Sequence, residues 1–320
     1  MNIALFGFGS VGRSFARLLE KQKAVYPFRI VAVHTAHHGT AFDLSGITES
    51  TPFGPAVASA EEFLDKANAE VVVEITSLSP HDGQPAIGHI RSAFARGIHV
   101  ITANKGPIAH AYRELRNEAA FRQLLFRFES TVMDGTPVFN MIRHNLPGIT
   151  IHGFSAVFNS TTQVVLQKMR EGGSMLEGIA AAQELGIAEA DAGFDIDGWD
   201  SAAKTAALAN VLMDAGMTPL DVDRSGIGHL THQELASIEG TDKIVALVAR
   251  AWRSENAIQL RVQAEALDRN DPLARLLGTS NLLQLDTDHM GTLGILELNP
   301  TVEQTAYGLF TDLVDIAKSI

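Results

Sequence analysis

Short apolar runs alternate with segments of helical spacing along the first part of the chain. Residues 3–6 form an apolar run that enters a glycine turn, and Arg13–Lys21 follows with Phe15, Leu18 and Leu19 at helical spacing. Ile30–Val33 predicts a second buried strand. Val71–Thr76 and His99–Thr102 are β-branched runs, each preceded by a segment with helical spacing, Glu61–Lys66 and Ile87–Arg96. Leu124–Phe128 predicts one more strand. This alternation predicts an α/β fold with a parallel, doubly wound sheet over residues 1–135.

The pattern changes after Pro137. Residues 149–158 alternate like a half-exposed strand, as do Gln259–Ala266 and Asn281–Leu285, and Leu293–Leu298 completes the set. Helical stretches are expected at 174–185, 200–213 and 232–253. This is an α+β layout, with helices on one face of an antiparallel or mixed sheet. Thr305–Ser319 is again helical in spacing (Leu309, Leu313, Ile316) and is expected to pack back on the first domain. The expected division is a first domain at 1–136, completed by 299–320, and a second at 137–298. No internal repeat interrupts either part.

Composition narrows the partners. A chain of 320 residues with 46% hydrophobic content can bury two cores, and 19% charged residues without a long polar tract argue against disorder. The net charge of −12 is unevenly placed: residues 1–150 carry 14 Lys/Arg against 13 Asp/Glu, and 151–320 carry 11 against 24. Nucleic acid is not an expected partner, because phosphate binding needs a basic face. The chain has no Cys, which removes disulfides, Cys-ligated metals and any thioester intermediate. No run of about 18 apolar residues is present, so no membrane span is expected. The start lacks the basic region of a signal peptide, and a cytoplasmic location is expected.

Two regions carry candidate chemistry. Gly7-Phe8-Gly9-Ser10-Val11-Gly12 lies between a predicted strand and helix. There Gly7 permits a tight turn, Gly9 lets backbone approach a pyrophosphate, and Gly12 allows close helix packing. The acid expected on the ribose about 20 residues on is absent. His34-Thr-Ala-His-His38 stands there instead, either as a solvated loop or as donors to a 2′-phosphate, which favours NADP over NAD. Thr76 and Ser77 end one predicted strand, and Thr102-Ala-Asn104-Lys105 ends the next. These are the carboxyl ends of strands where open α/β sheets bind ligands, so Lys105 is either a cofactor-cleft residue or a surface lysine.

The second region is Glu189-Ala-Asp-Ala-Gly-Phe-Asp-Ile-Asp-Gly-Trp-Asp-Ser-Ala-Ala-Lys204. It gathers Glu189, Asp191, Asp195, Asp197 and Asp200 within 12 residues, then sets Asp200 and Lys204 four apart on one helical face. Such a pair is ordinarily a weak surface ion pair. Here the helix beyond is apolar and the carboxylates are crowded, which suits holding an amino-acid ammonium while a lysine handles a proton. Two alternatives stay open: a dehydrogenase of another hydroxy amino acid, and a non-catalytic dinucleotide-binding protein.

These pieces, in this order, resemble homoserine dehydrogenases over most of the chain. The match includes the glycine fingerprint, Thr102-Ala-Asn-Lys105, Gly135-Thr-Pro137 and Asn159-Ser-Thr-Thr162. It continues through Glu184-Leu-Gly-Ile-Ala-Glu-Ala-Asp191 into Asp200-Ser-Ala-Ala-Lys204. The resemblance implies an NADP- or NAD-dependent interconversion of L-homoserine and L-aspartate 4-semialdehyde. It implies Lys204 as proton donor and acceptor, Lys105 as its helper, Glu189 on the substrate ammonium, and Asp195 and Asp200 orienting substrate and lysine. It further implies a sodium loop in which backbone carbonyls of Val132, Asp134 and Thr136 join Glu129, and a homodimer paired through the second domain's sheet. A short form without a regulatory C-terminal domain is expected. The chain departs from the family pattern at Val132–Gly135, at Ser160 and at Leu298–Gln304.

Overall fold

The computed structural model describes residues 1–320 apart from Pro80, Glu189, Asn256 and the side chain of Glu239. The chain divides into two units, Met1–Asn145 with Thr301–Ile320, and Leu146–Pro300. The strands of the first are β1 (Asn2–Phe6), β2 (Arg29–Thr35), β3 (Gly39–Phe42), β4 (Val71–Glu74), β5 (His99–Thr102) and β6 (Phe126–Arg127). Its helices are α1 (Ser10–Gln22), α2 (Ala60–Ala67), α3 (Ala86–Ala95), α4 (Lys105–Phe121) and α5 (Phe139–Asn145), joined by the C-terminal helix Val302–Ser319.

The sheet order is β3-β2-β1-β4-β5-β6. All neighbours are parallel except the β2–β3 hairpin. Residues Ile3–Phe6 and Val71–Val73 are fully buried, as expected of strands covered on both faces. Strand order reverses between β1 and β4, where Phe6 stands in register with His34 on one side and Glu74 on the other. Beyond this point the carboxyl ends of the strands open a crevice of the kind that holds dinucleotides.

The C-terminal helix belongs to this unit because its apolar stripe packs into this unit's core. Leu309, Leu313 and Ile316 are fully buried in one cluster with Ile3, Leu5, Phe15 and Phe28. Burial of each such side chain contributes about 1.5–3 kcal/mol. The unit also runs past Pro137, where the sequence pattern changes, to the end of α5. The cause is local: the backbone N–H groups of Phe139 and Asn140 donate to the buried Glu129 carboxylate, and Asn140 Nδ2 donates to Asp312.

Strand β3 was not expected. It is only four residues long, and the His-rich stretch before it is the turn of a hairpin. There Thr35 Oγ1 accepts the His38 N–H at 2.9 Å and donates to the Gly39 carbonyl at 3.2 Å.

The second unit holds β7 (Ile151–Val157), β8 (Asp223–Arg224), β9 (Lys243–Ser254), β10 (Ala257–Asp268), β11 (Asn281–Thr287) and β12 (Gly291–Glu297). Its helices are α6 (Ser160–Arg170), α7 (Met175–Glu184), α8 (Gly193–Ile196), α9 (Trp199–Met213) and α10 (His232–Glu239). The sheet runs β12-β11-β7-β9-β10-β8 and is antiparallel except for the short β8. The helix expected over 232–253 is corrected here: it stops at Glu239, and Lys243–Ser254 is a strand. Val245–Ala249 pair along β10, β7 joins on the other side from Ala249 to Trp252, and Val245–Ala249 are buried without interruption. A central strand of that kind shows no alternation, and its apolar run mimics a buried helix.

Helix α9 begins after Gly198, which sits at φ +80°, and ends at Asp214, at φ +56°. Its alanines let it lie close in the core, so Asp200 and Lys204 project from a helix that is buried on most sides. Among the described residues no helix is long and apolar enough to cross a membrane.

The turn after β1 tests this packing. Gly7 has φ +100°, and a Cβ there would lie 2.6 Å from the Ile75 carbonyl oxygen. Gly7→Ala is expected to lower unfolding stability by at least about 1–3 kcal/mol. An unchanged denaturant midpoint would contradict the contact between the glycine turn and the end of β4.

Candidate active site

Unit one carries a candidate dinucleotide site in the crevice at its strand ends. The Gly7 N–H donates to the His34 carbonyl at 2.9 Å, extending the β1–β2 ladder, and the positive φ of Gly7 turns the chain off β1 towards α1. Gly9 is the N-cap of α1, has no side-chain cap, and has open space where a Cβ would stand. The N–H groups of Ser10, Val11 and Gly12 therefore begin a helix whose N-terminus carries partial positive charge and no acidic residue in its first turn. Gly12 lies against Ile75 and Phe8, where a Cβ would be 3.1–3.3 Å from both side chains. Phe8 itself is buried against Phe53, with Arg13 over its ring at 5.2 Å. An uncapped helix start with an open glycine approach fits a pyrophosphate.

The opposite wall comes from the loops after β4 and β5. Asn104 is buried and caps α4 by accepting the Gly106 N–H at 3.0 Å. Its amide nitrogen donates to the carbonyls of Thr76 at 3.1 Å and Ser77 at 3.4 Å. The two strand-end motifs found in the sequence are thus bonded to each other. Lys105 is the half-buried first residue of α4.

In unit two the structure brings Asp195, Asp200 and Lys204 together around the end of β7. Lys204 Nζ donates to the Phe158 carbonyl at 2.7 Å, lies 3.0 Å from Asp200 Oδ2, and stands 5.5 Å from the centre of the Phe158 ring. Only 16% of the Lys204 side chain and 12% of the Asp200 side chain are exposed, which separates this pair from a screened surface ion pair. The sequence did not indicate the part played by Asn159. Its amide nitrogen donates to Asp195 Oδ1 at 2.7 Å and Asp200 Oδ2 at 3.0 Å, while its Oδ1 caps α6 by accepting the Thr162 N–H. Burial, and then the neighbouring Asp200 carboxylate, raise the Asp195 carboxyl above its usual range, against the hydrogen bonds of Asn159 and Thr161 and the charge of Lys204.

The other acids of the loop separate from this cluster. Asp191 is exposed and accepts the Gly193 N–H, and Asp197 is exposed with its carbonyl held by Arg224. Arg224 in turn lies over Trp199 at 3.8 Å. Glu189 lies outside the described residues. Ser160, a departure from the family pattern, donates to the Thr279 carbonyl at 3.0 Å and so ties α6 to the loop before β11. Thr301 and Gln304, within a second departure, form a capping box at the start of the C-terminal helix.

Around the expected sodium loop, Glu129 has local partners of its own. Its carboxylate accepts the N–H groups of Phe139 and Asn140 at the start of α5. Burial and the nearby Asp312 push its carboxyl up to about 7. Asp312, wholly buried, is itself pushed up to about 6. Val132 is buried, Asp134 accepts the Thr305 hydroxyl at 2.8 Å, and the Thr136 carbonyl accepts the Val138 N–H at 2.8 Å. Among the described residues no group of three or more His, Asp or Glu side chains could hold a metal ion.

Glu74, Glu297 and Asp312 are buried acids that motif reasoning passed over. Glu74 had a visible signal, an acid closing the otherwise apolar run Val71–Val73. Asp312 had a weaker one, a charge inside the helical spacing of Leu309, Leu313 and Ile316.

A family model described as homoserine dehydrogenase matches residues 137–314, and one described as the homoserine dehydrogenase NAD binding domain matches residues 7–129. The chain is 31% identical to an NAD(+)-dependent homoserine dehydrogenase of Pseudomonas canavaninivorans, covering 99% of this chain and 96% of that one. It is 32% identical to a homoserine dehydrogenase of Methanocaldococcus jannaschii, covering 100% and 99%. Among solved structures, a putative homoserine dehydrogenase from Archaeoglobus fulgidus superposes with a TM-score of 0.88 at 27% identity, covering 99% of both chains. A hyperthermophilic archaeal homoserine dehydrogenase in complex with NADPH gives 0.83 at 28% identity, covering 100% and 98%. The chain belongs to the homoserine dehydrogenase family.

Proposed function

We propose that this protein interconverts L-homoserine and L-aspartate 4-semialdehyde with NADP or NAD as hydride carrier. The observation that carries the reaction type is the half-buried Lys204 amine, held by the Phe158 carbonyl and Asp200. A bound nicotinamide supplies and accepts the hydride. As charge grows on the aldehyde oxygen during reduction, the Lys204 ammonium stabilises it and donates the proton; during oxidation the Lys204 amine takes the hydroxyl proton. Asp200 orients that amine, Asp195 and Glu189 hold the amino-acid end of the substrate, and Lys105 assists the proton transfer. Asn159 sets the spacing of the two aspartates by bridging them. The missing thiol leaves simple reduction of the aldehyde and excludes its oxidation through an acyl-thioester.

For the dinucleotide, Gly7, Phe8, Gly9, Ser10, Val11 and Gly12 form the pyrophosphate turn, and Thr76, Ser77, Asn104 and Lys105 form the facing wall. NADP is the preferred carrier in this proposal. The turn from β2 to β3 has no carboxylate to repel a 2′-phosphate, and His37 and His38 are exposed on it. A sodium ion at Glu129 with the carbonyls of Val132, Asp134 and Thr136 also belongs to the proposal. Those donors are all oxygen, and burial with the neighbouring Asp312 raises the Glu129 carboxyl. A cation there would favour its ionised form. Because its co-substrate is a free dinucleotide, the enzyme is placed in the cytoplasm.

The proposal includes a homodimer. Strand β12 forms one edge of the second sheet, with Leu296 and Leu298 more than half exposed near its end. An edge of seven residues with apolar side chains is a template for pairing with a second copy. Sedimentation should find a dimer, and Leu296→Glu should shift it towards monomer at equal concentration. A wild-type monomer would reject this part.

Steady-state assays of the purified protein test the main reading. Homoserine should be oxidised with kcat/KM at least about tenfold above serine, threonine and other hydroxy amino acids. NADP should be used better than NAD, and sodium should raise turnover. Faster oxidation of another hydroxy amino acid would reassign the substrate. Absence of reduction of either dinucleotide would reject the enzyme.

A further inference from the structure

We infer that Glu74 is a positioning residue of the dinucleotide crevice, locking the loop after β4 to the loop after β5 and so fixing the wall beside the nicotinamide half. The inference rests on the dinucleotide reading above and deepens it.

Glu74 ends β4 at the point where strand order reverses, in register with Phe6 of β1 and Thr102 of β5. It is fully buried. A buried carboxylate is destabilising unless hydrogen-bond partners offset its desolvation. Continuing the Val71–Val73 run with another β-branched residue would satisfy the sheet without this cost. The acid therefore has a use other than packing.

Its bonds show what that use is. Oε1 accepts the Thr76 backbone N–H at 3.2 Å and the Thr76 hydroxyl, and His89 Nδ1 of α3 stands 3.5 Å away. The Thr102 hydroxyl donates to the Glu74 carbonyl at 3.0 Å, with Oε2 at 3.4 Å, and accepts the Asn104 N–H at 2.9 Å. Asn104 closes the ring by donating to the Thr76 and Ser77 carbonyls. The circuit Glu74–Thr76–Asn104–Thr102 leaves neither loop free to shift without breaking a buried hydrogen bond. His89 stacks on Phe6 at 4.0 Å, which braces the carboxylate from the side of β1.

The place of this ring decides which half of the ligand it governs. The ribose of the adenosine half is read at the end of the second strand, so the nicotinamide half extends to the other side of the glycine turn, over β4 and β5. Glu74 touches no solvent there. It acts through Thr76, Ser77 and Asn104, and indirectly on Lys105, the next residue along.

Two variants test the role. Glu74→Gln keeps the volume but replaces one acceptor oxygen with a donor, and Glu74→Val continues the apolar strand and removes the buried charge. Binding of NADPH and of ADP, kcat, KM and thermal midpoint are measured for both. The expected result is NADPH affinity and kcat lowered about 10- to 100-fold, ADP affinity within about twofold of wild type, and a thermal midpoint unchanged or raised in Glu74→Val. Wild-type NADPH binding and kcat in both variants would overturn the inference. Equal weakening of NADPH and ADP alongside a lowered midpoint would also overturn it, since that is a purely structural role. A wild-type protein that binds neither ligand would instead sink the dinucleotide reading, and this inference with it.

Discussion

The proposed chemistry depends on one lysine amine held in a place where water cannot screen it well. Lys204 Nζ is fixed by a carbonyl from the end of β7 and by a carboxylate one helical turn earlier on α9. Helix α9 can present that amine because its alanines admit it deep into the second unit, and because Gly198 starts it at a positive φ. Asn159 completes the arrangement. With one amide it caps α6 and bridges Asp195 to Asp200, so the two carboxylates keep their separation although burial favours protonating one of them. A lysine ringed by oxygen in this way is suited to exchange a proton with a substrate oxygen.

The same economy of buried acids recurs in the first unit. Glu74 joins two loops of the crevice, and Glu129 with Asp312 ties α5 and the C-terminal helix to the end of the first sheet. Each is a carboxyl group removed from water and hydrogen-bonded by N–H or O–H donors. Such groups specify one arrangement of loops, because any other leaves a buried carboxylate unsatisfied.

The legible parts of the sequence were those with a local signal. Strand–turn–helix at Gly7–Gly12, the β-branched runs ending at Thr76 and Thr102, and the i, i+4 spacing of Asp200 and Lys204 all follow from neighbours within a few residues. What stayed hidden depends on distant partners. The amide of Asn159 meets carboxylates 36 and 41 residues further on, and Glu129 meets Asp312 across 183 residues. Strand β9 read as helix because a strand buried on both faces has no period to show. Strand β3 was missed because four residues after a histidine turn carry too little pattern, although the hairpin it closes is what displays His37 and His38.

Single-turnover hydride transfer in Lys204→Ala, followed at the dinucleotide absorbance by stopped flow, tests the central claim most directly. The account predicts dinucleotide and homoserine affinities close to wild type and a transfer rate lower by about 10²–10⁴-fold, the range for loss of a positioned general acid–base. A transfer rate within a few-fold of wild type, with both ligands still bound, would contradict it.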